Sequence, residues 1–168
     1  MTSLRGVWLI VLLPALVGLA GCTPAAEETA SETVEAVESA GNIRLTIEDD
    51  SGDVTYEGVS GELPEGFPAD FPIPAGVIEQ SNRLLVGGLP MWSLVVQTPA
   101  AYAQTIAFYE SQLPAAGWTV TGSREAEMDW GTNFFMQVRS ADETIAGSVS
   151  IEDRESGAPV TVNLSRNP

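Results

Sequence analysis

The sequence contains no histidine and no lysine, and all seven of its basic residues are arginine. A serine nucleophile would therefore lack the imidazole or amine that takes its proton, and a lysine Schiff base cannot form. Zinc sites built on histidine or on several cysteines are excluded as well, and the glycines do not have P-loop spacing. The chemistry that remains is that of paired carboxylates or of oxygen-ligated ions such as calcium.

The sequence also has only one cysteine and few basic residues. A single cysteine, Cys22, cannot form an internal disulfide, so burial has to stabilise the fold. The 23 acidic residues outnumber the basic ones and leave a formal net charge of −16. Nucleic acid and anionic lipid headgroups would both repel such a chain, so no nucleic-acid partner is expected. The charge indicates either solubility and spacing from a membrane, or binding of cationic ligands or basic partner surfaces.

The N-terminal segment reads as a signal peptide over residues 1–21. Arg5 supplies a short positive start, and residues 7–19 form an apolar run interrupted only by Pro14 and Gly18. This run is shorter than the roughly 20 apolar residues that span a bilayer, and the segment that follows it is acidic, with no basic residue to stop transfer. Two alternatives stay open: an ordinary signal peptide with an incidental cysteine, and a membrane helix that is never cut.

The apolar run ends at the lone cysteine. Its last four residues resemble the lipobox of bacterial lipoprotein signals: Leu19, Ala20, Gly21 and Cys22. The resemblance implies cleavage after Gly21 and a covalent diacylglycerol lipid on the Cys22 sulfur, which is the only prosthetic group expected. At about 0.8 kcal/mol per buried methylene, two or three acyl chains hold a protein on a membrane almost permanently. The implied location is the outer face of the cell membrane or the periplasmic side of the outer membrane.

Residues 22–41 are predicted to form an acidic, disordered tether. They hold five glutamates, no basic residue and no aromatic residue. Alanine and glutamate favour a helix, but Glu32, Glu35 and Glu38 lie three apart, so like charges would stack on one helical face. A flexible coil of this length reaches about 25 Å on average, which would clear the lipid headgroups.

Residues 42–60 are predicted to form a β-hairpin, because apolar and polar residues alternate on both sides of an acidic turn. Asp49, Ser51 and Asp53 have the alternate spacing of the first calcium ligands of a binding loop. Val54 stands where such a loop needs glycine, and Ser60 where it needs a bidentate glutamate. Ordinary turn chemistry explains the same residues without an ion, so these three remain weak metal candidates.

A proline-rich strap is predicted over residues 61–76, which contain four prolines. Residues before proline favour extended backbone, so the strap is expected to run as a polyproline-like segment. Phe67, Phe71 and Ile73 are its expected anchors on a neighbouring domain. Recognition of this segment by a proline-reading partner is the alternative, although no PxxP register with a flanking arginine is present.

Residues 77–168 are predicted to form one α+β domain with an antiparallel sheet of about six strands. One main helix should begin with Thr98 as its cap and Pro99 in its first turn, and Pro114 should kink or end it. Gly117 then supplies a left-handed exit. The helix stripe that faces the sheet is predicted as Tyr102, Ile106, Tyr109 and Leu113.

The residues expected to face this helix alternate along the predicted strands, and the short joins predict hairpins. Trp92 and Trp118 are assigned to the same core. The predicted sheet positions of the core are Val120, Phe134 or Phe135, Val149, Ile151, Val162 and Leu164.

The segments "FPADFPIPAG", "TPAAY" and "FYESQLPAAGW" are similar to a pattern in small uncharacterised bacterial lipoproteins of the cell envelope. The resemblance covers about residues 61–123. Its motifs are structural, so it implies the location and the extent of the domain, and it carries no catalytic or binding residues.

A predicted loop after Trp118 combines carboxylates with Trp130. The candidate ligand-binding residues are Glu125, Glu127, Asp129 and Trp130. A flat ring can stack on a sugar while oxygens bind its hydroxyls. The alternative is that Trp130 folds back over the sheet edge as an anchor.

Two classes of function follow. The first is a non-catalytic module of the cell envelope that binds a partner protein or small ligand, anchored to the membrane through its lipid. The second is a carboxylate-dependent enzyme or binding protein acting on glycans, with Glu152 or Asp153 as the distant acid. Glycoside hydrolysis needs two carboxyl groups about 5 to 9.5 Å apart in a cleft.

Overall fold

The computed structural model describes residues 33–39, 42–48, 54–59 and 61–168. Four sets of predictions lie outside these residues: the signal peptide over residues 1–21, the lipobox Leu19 to Cys22, the tether up to residue 32, and the calcium candidates Asp49, Ser51 and Asp53. Within the described part of the chain, the single helix is too short and too polar to cross a bilayer.

The described residues form one helix and nine strands. The strands make a single antiparallel sheet of order β1-β2-β3-β4-β5-β9-β8-β7-β6. The α+β class is therefore confirmed, and the strand number exceeds the predicted six. The elements are β1 (Thr33–Ser39), β2 (Asn42–Glu48), β3 (Val54–Val59), β4 (Val77–Val86), β5 (Leu89–Gln97), α1 (Tyr102–Ala115), β6 (Thr119–Met128), β7 (Gly131–Arg139), β8 (Ile145–Glu152) and β9 (Val160–Arg166).

The predicted hairpin is present, since β2 and β3 pair antiparallel. It does not stand apart from the following domain, because β3 also pairs with β4 over six residues. The registers place Tyr56 opposite Leu84 and Val54 opposite Val86. Matching apolar side chains across the two strands extends the sheet instead of leaving a free hairpin.

The prediction of a disordered tether is wrong for residues 33–39, which form the edge strand β1 along β2. Like charges spaced three apart disfavour a helix, but they do not by themselves disfavour a strand. The segment also contains Thr33, Val34 and Val37, which favour strands.

The helix covers one face of the sheet, and the core lies between them. Trp92 and Trp118 are 3% and 2% exposed, which confirms both as core residues. Phe134, not Phe135, packs against this core, and Val120 packs at its margin. The fully or almost fully buried members include Leu94, Tyr109, Leu113, Val149, Ile151, Val162 and Leu164.

The two ends of α1 differ in how well the sequence predicted them. Its N-cap is Ala101 with no side-chain cap, so the prediction of Thr98 as cap is wrong. Thr98 is instead buried, and its hydroxyl accepts a hydrogen bond from the Ala100 amide at 3.2 Å. At the other end Gly117 has φ of 83° and its amide donates to the Pro114 carbonyl at 3.1 Å. Pro114 lies in the last turn, and the left-handed glycine ends the helix as predicted.

The strap packs on the helix side of the sheet beside α1. Phe71 lies edge-on to Trp118 at 4.9 Å and to Phe67 at 5.9 Å between ring centroids. The Trp92 indole donates to the Glu65 carbonyl at 3.1 Å. The backbone is not continuously extended, because the Phe67 and Phe71 amides close turns onto Pro64 and Pro68. The anchors pack as predicted, and these turns bring Phe67 and Phe71, four residues apart in the chain, into one cluster.

Candidate functional site

The predicted Trp130 loop is a tight hairpin between β6 and β7. Glu125 and Glu127 lie on β6 itself, whereas Asp129 and Trp130 form the turn. Gly131 has φ of 137°, a conformation that favours glycine and lets the chain reverse within two residues. The four candidate residues therefore lie at the end of β6 and in the turn that follows it, not in a long loop.

Trp130 is 45% exposed, and its ring is in contact with a cation. The Arg154 guanidinium lies 4.5 Å from the ring centroid, and its Nη1 donates to the Trp130 carbonyl at 3.4 Å. Arg154 is held in turn by Glu152, at 2.8 Å. One face of the indole is thus occupied by a neighbouring side chain, which is the arrangement of a hairpin anchor.

The two strand carboxylates also have partners within the chain. Glu125 accepts a hydrogen bond from the Tyr102 hydroxyl at 3.1 Å, and Glu127 accepts from Thr132 at 3.2 and 3.3 Å. Burial, with added contributions from Glu125, Asp153 and Glu127, raises the pKa of Tyr102 to about 12. The cluster therefore stabilises the neutral phenol at the start of α1.

Titration of Tyr102 tests this cluster. Because the folded-state pKa of Tyr102 lies above its ordinary value of 10.0, the neutral phenol contributes stability below pH 10 that is lost as pH rises toward about 12. The Glu125→Gln variant is expected to lower the pKa of Tyr102 without restoring its ordinary value, since burial is the largest cause. Phenolate absorbance, with Tyr102→Phe as the subtraction control, measures it. An unchanged pKa in Glu125→Gln would contradict the assignment.

Carboxylate chemistry needs acids that converge on a cavity. Among the described residues no group of three or more Asp, Glu, Cys or His side chains could hold a metal ion. Three surface grooves of the described chain have no aspartate or glutamate in their linings. Glu152 is paired with Arg154, and Asp153 donates its backbone amide to the Thr132 carbonyl at 2.9 Å. The acids proposed for glycan hydrolysis thus lie at the hairpin and not in these grooves.

The face of the sheet opposite α1 is open, and it carries a groove of about 410 Å³. Tyr56, Leu84 and Met91 contribute apolar surface on the β3–β5 side. The polar atoms come from strands that are far apart in sequence: Asn82, Ser93, Ser148, Asn163 and Ser165. None of the side chains in this lining is charged.

A second groove of about 470 Å³ lies on the same face, farther toward the β6 edge. Gln137, Phe135 and Arg124 line it together with Gly122. The Arg124 guanidinium lies over the Phe135 ring at 5.1 Å. Ser148 lines both grooves, so they adjoin at β8.

Sequence reasoning missed this face. Alternating neutral side chains on β5, β8 and β9 were visible as the outward positions of predicted strands. Their convergence depends on the pairing of β5 with β9, whose residues are some 70 positions apart, and local patterns do not show that pairing. The only signal available was the run of serine and asparagine at outward positions of three strands.

Comparisons with known proteins do not assign this site. No family model matches the chain, and no curated protein matches it in sequence. The solution structure of cyanobacterial PsbP (CyanoP) from Synechocystis sp. PCC 6803 is similar with a TM-score of 0.41 and 10% identity, over 85% of each chain. At this level the likeness assigns neither a family nor a function.

Proposed function

We propose that the protein is a membrane-anchored extracytoplasmic lipoprotein whose open sheet face binds a ligand or partner of the cell envelope. The observation that supports this most is the unequal covering of the sheet. The helix and strap fill one face, whereas the other carries two adjoining grooves lined by uncharged polar and apolar side chains and by one charged residue, Arg124. Concave surfaces with a few polar groups among apolar ones are typical of ligand sites.

The anchor is supported by the signal-like N-terminus and by the position of Cys22 at the end of the apolar run. Ten residues separate Cys22 from β1, and they span at most about 35 Å when fully extended. A lipid on Cys22 would therefore keep the domain within about one domain diameter of the membrane. The acidic composition of this segment agrees with a role as a spacer.

Replacement of the cysteine tests the anchor. The Cys22→Ser variant is expected to lose metabolic labelling with palmitate and to lose detergent-phase partitioning, because no thiol remains to carry diacylglycerol. The matched control is Thr23→Ser, one residue away, which should label and partition like the wild type. An intact mass of the native protein that begins at Met1, or that shows an unmodified thiol, would overturn the proposal.

A further inference from the structure

The polar side chains of the open face form one continuous row at right angles to the strands. We define the polar row as the five residues Asn82, Ser93, Asn163, Ser148 and Gln137. Each member is the direct register partner of the next, on β4, β5, β9, β8 and β7 in turn. Glycines stand at both ends, since Gly58 faces Asn82 and Gly122 faces Gln137. The row therefore crosses five strands. At the Asn82 end the Tyr56 ring lies over Gly58, whereas at the other end Gly122 contributes no side chain.

The members of the row are uncharged groups that both donate and accept hydrogen bonds. The Tyr56 hydroxyl donates to Oδ1 of Asn82 at 2.6 Å, which fixes the orientation of the amide. Asn163 and Gln137 are exposed, and Ser93 and Ser148 are half-buried. A ligand with many hydroxyl or amide groups can pair with each of them.

Apolar side chains border the row on both sides. Leu84 and Met91 lie on one side, in the neighbouring register positions of β4 and β5. Tyr56, the register partner of Leu84, lies on that same side near the β4 end. Phe135 lies on the other side near the β7 end. Sugar rings combine polar edges with apolar faces, so a polar row flanked by aromatic rings suits them.

The row is longer than a single small molecule. Neighbouring strands are about 4.8 Å apart, so the four spacings from β4 to β7 measure about 19 Å. That length is several times the width of one sugar ring. A ligand that pairs along the whole row is therefore a linear chain of repeating units.

Charge and geometry discriminate between the possible chains. Arg124 is the only charged side chain in the linings of the two grooves, and the whole chain has a net charge of −16. A polyanion would be repelled, and a cationic chain would find no carboxylate in the grooves. Extended peptides bind sheet edges, where backbone donors and acceptors are free, whereas a sheet face presents side chains only.

We propose that the polar row binds an uncharged oligosaccharide, which lies across the strands with its hydroxyl or acetamido groups on the row and its rings against Tyr56 and Phe135. This inference rests on the proposed function, because it names the ligand of the same open face. The row assigns a chemical class to the ligand, and the cell envelope is where neutral polysaccharide chains would be met.

Binding to defined sugars tests the inference. The acylated full-length protein in detergent micelles is titrated with maltohexaose, cellohexaose and chitohexaose, and with hexagalacturonate as the charged probe. Binding of at least one neutral hexamer, and weaker binding of hexagalacturonate, is expected. The Asn163→Ala and Gln137→Ala variants should each weaken that binding at least about fivefold through the loss of hydrogen bonds. The Gln112→Ala variant, on the exposed side of α1, is the matched control and should bind like the wild type.

The variants are first compared with the wild type by thermal melting, and both row positions are exposed enough for the fold to be retained. Equal binding by the row variants, tighter binding of hexagalacturonate, or no binding of any hexamer would overturn the oligosaccharide inference.

A photo-crosslinker at Ser148 in intact cells separates this failure from failure of the proposed function. Crosslinking to an envelope protein instead would leave the open face as a binding surface with a different occupant, and absence of any crosslink together with no sugar binding would overturn both.

Discussion

Replacement of Gly147 by alanine is expected to lower the free energy of unfolding by about 3 kcal/mol or more, because strands β8 and β9 would have to separate. A Cβ at this position would overlap the Asn163 carbonyl oxygen and would lie 2.7 Å from Cδ2 and 2.9 Å from Cα of Leu164. Two of these three atoms belong to the backbone of β9, so no side-chain rotation can relieve the overlap. Leu164 itself is 2% exposed, and any shift propagates into the core.

Gly122 offers a matched control for that variant. It also lies in a strand, and a Cβ there would meet only the end of the Gln137 side chain at 4.0 Å. The Gly122→Ala variant is therefore expected to change stability by less than about 0.5 kcal/mol. Chemical denaturation of both variants gives the comparison. Equal stabilities would show that β8 and β9 are not as close as the structure places them.

Local patterns predicted the elements whose residues alternate or recur within a few positions. The stripe of α1 was correct because Tyr109 and Leu113 recur at helical spacing and lie on the buried side. Strands β5, β8 and β9 alternate between buried and more exposed positions, as local patterns predict. By contrast, β6 is exposed or half-buried along its length, and its second half falls in the segment predicted as a loop. The position of Trp92 at a strand start and of Trp118 after the helix predicts both as core residues, and both are buried. These features depend on residues that are close together in the chain, so they can be predicted without knowledge of the tertiary contacts.

Contacts between residues that are distant in the chain could not be predicted from the sequence. Like charges in residues 33–39 argued against a helix, and the existence of a partner strand β2 was needed to predict β1. The cap at Thr98 was wrong for a similar reason. The Gly157 Cα lies against the Thr98 carbonyl, and the Ala158 amide donates to that carbonyl at 3.2 Å, so a contact 60 residues away holds Thr98 outside the helix.

The candidate site shows the same division. The Trp130 hairpin could be found in the sequence because its acids and ring are adjacent in the chain. The structure pairs three of those side chains with separate neighbours. Glu125 contacts Tyr102, Glu127 contacts Thr132, and Trp130 contacts Arg154. The open face could not be found, because its side chains are individually unremarkable and become a row only through four strand registers. A neutral site leaves no charge pattern in a sequence.

The helix side of the sheet is covered by α1 and the strap, and the third groove, whose lining includes Pro74, Pro99 and Phe108, lies between those two elements and not on the sheet itself. The strap closes the helix side of the sheet by placing Phe67 and Phe71 against Trp92 and Trp118. Without those rings, part of the core beside α1 would be open to water. The proline-rich segment is thus a structural element of the domain, and its residues are not free for a partner that reads proline motifs.

The Phe71→Ala variant is accordingly expected to lower the free energy of unfolding by about 3 to 5 kcal/mol. Phe71 is 4% exposed and lies 4.9 Å from Trp118, 5.9 Å from Phe67 and 6.4 Å from Tyr109 between ring centroids. Its removal leaves a cavity that three other rings cannot fill without leaving their own contacts. Because small domains have only about 5 to 15 kcal/mol of stability, the variant should melt far below the wild type.

Leu63 provides the control, since it lies in the same strap and is 45% exposed. The Leu63→Ala variant removes a side chain of comparable apolar character from a position with little burial, so its effect should remain below about 1 kcal/mol. Near-ultraviolet circular dichroism should change for Phe71→Ala, because the tryptophans lose a fixed neighbour, and should not change for Leu63→Ala. If both variants melted together, the strap would not be packed on the sheet, and the helix side would be as accessible to ligands as the polar row.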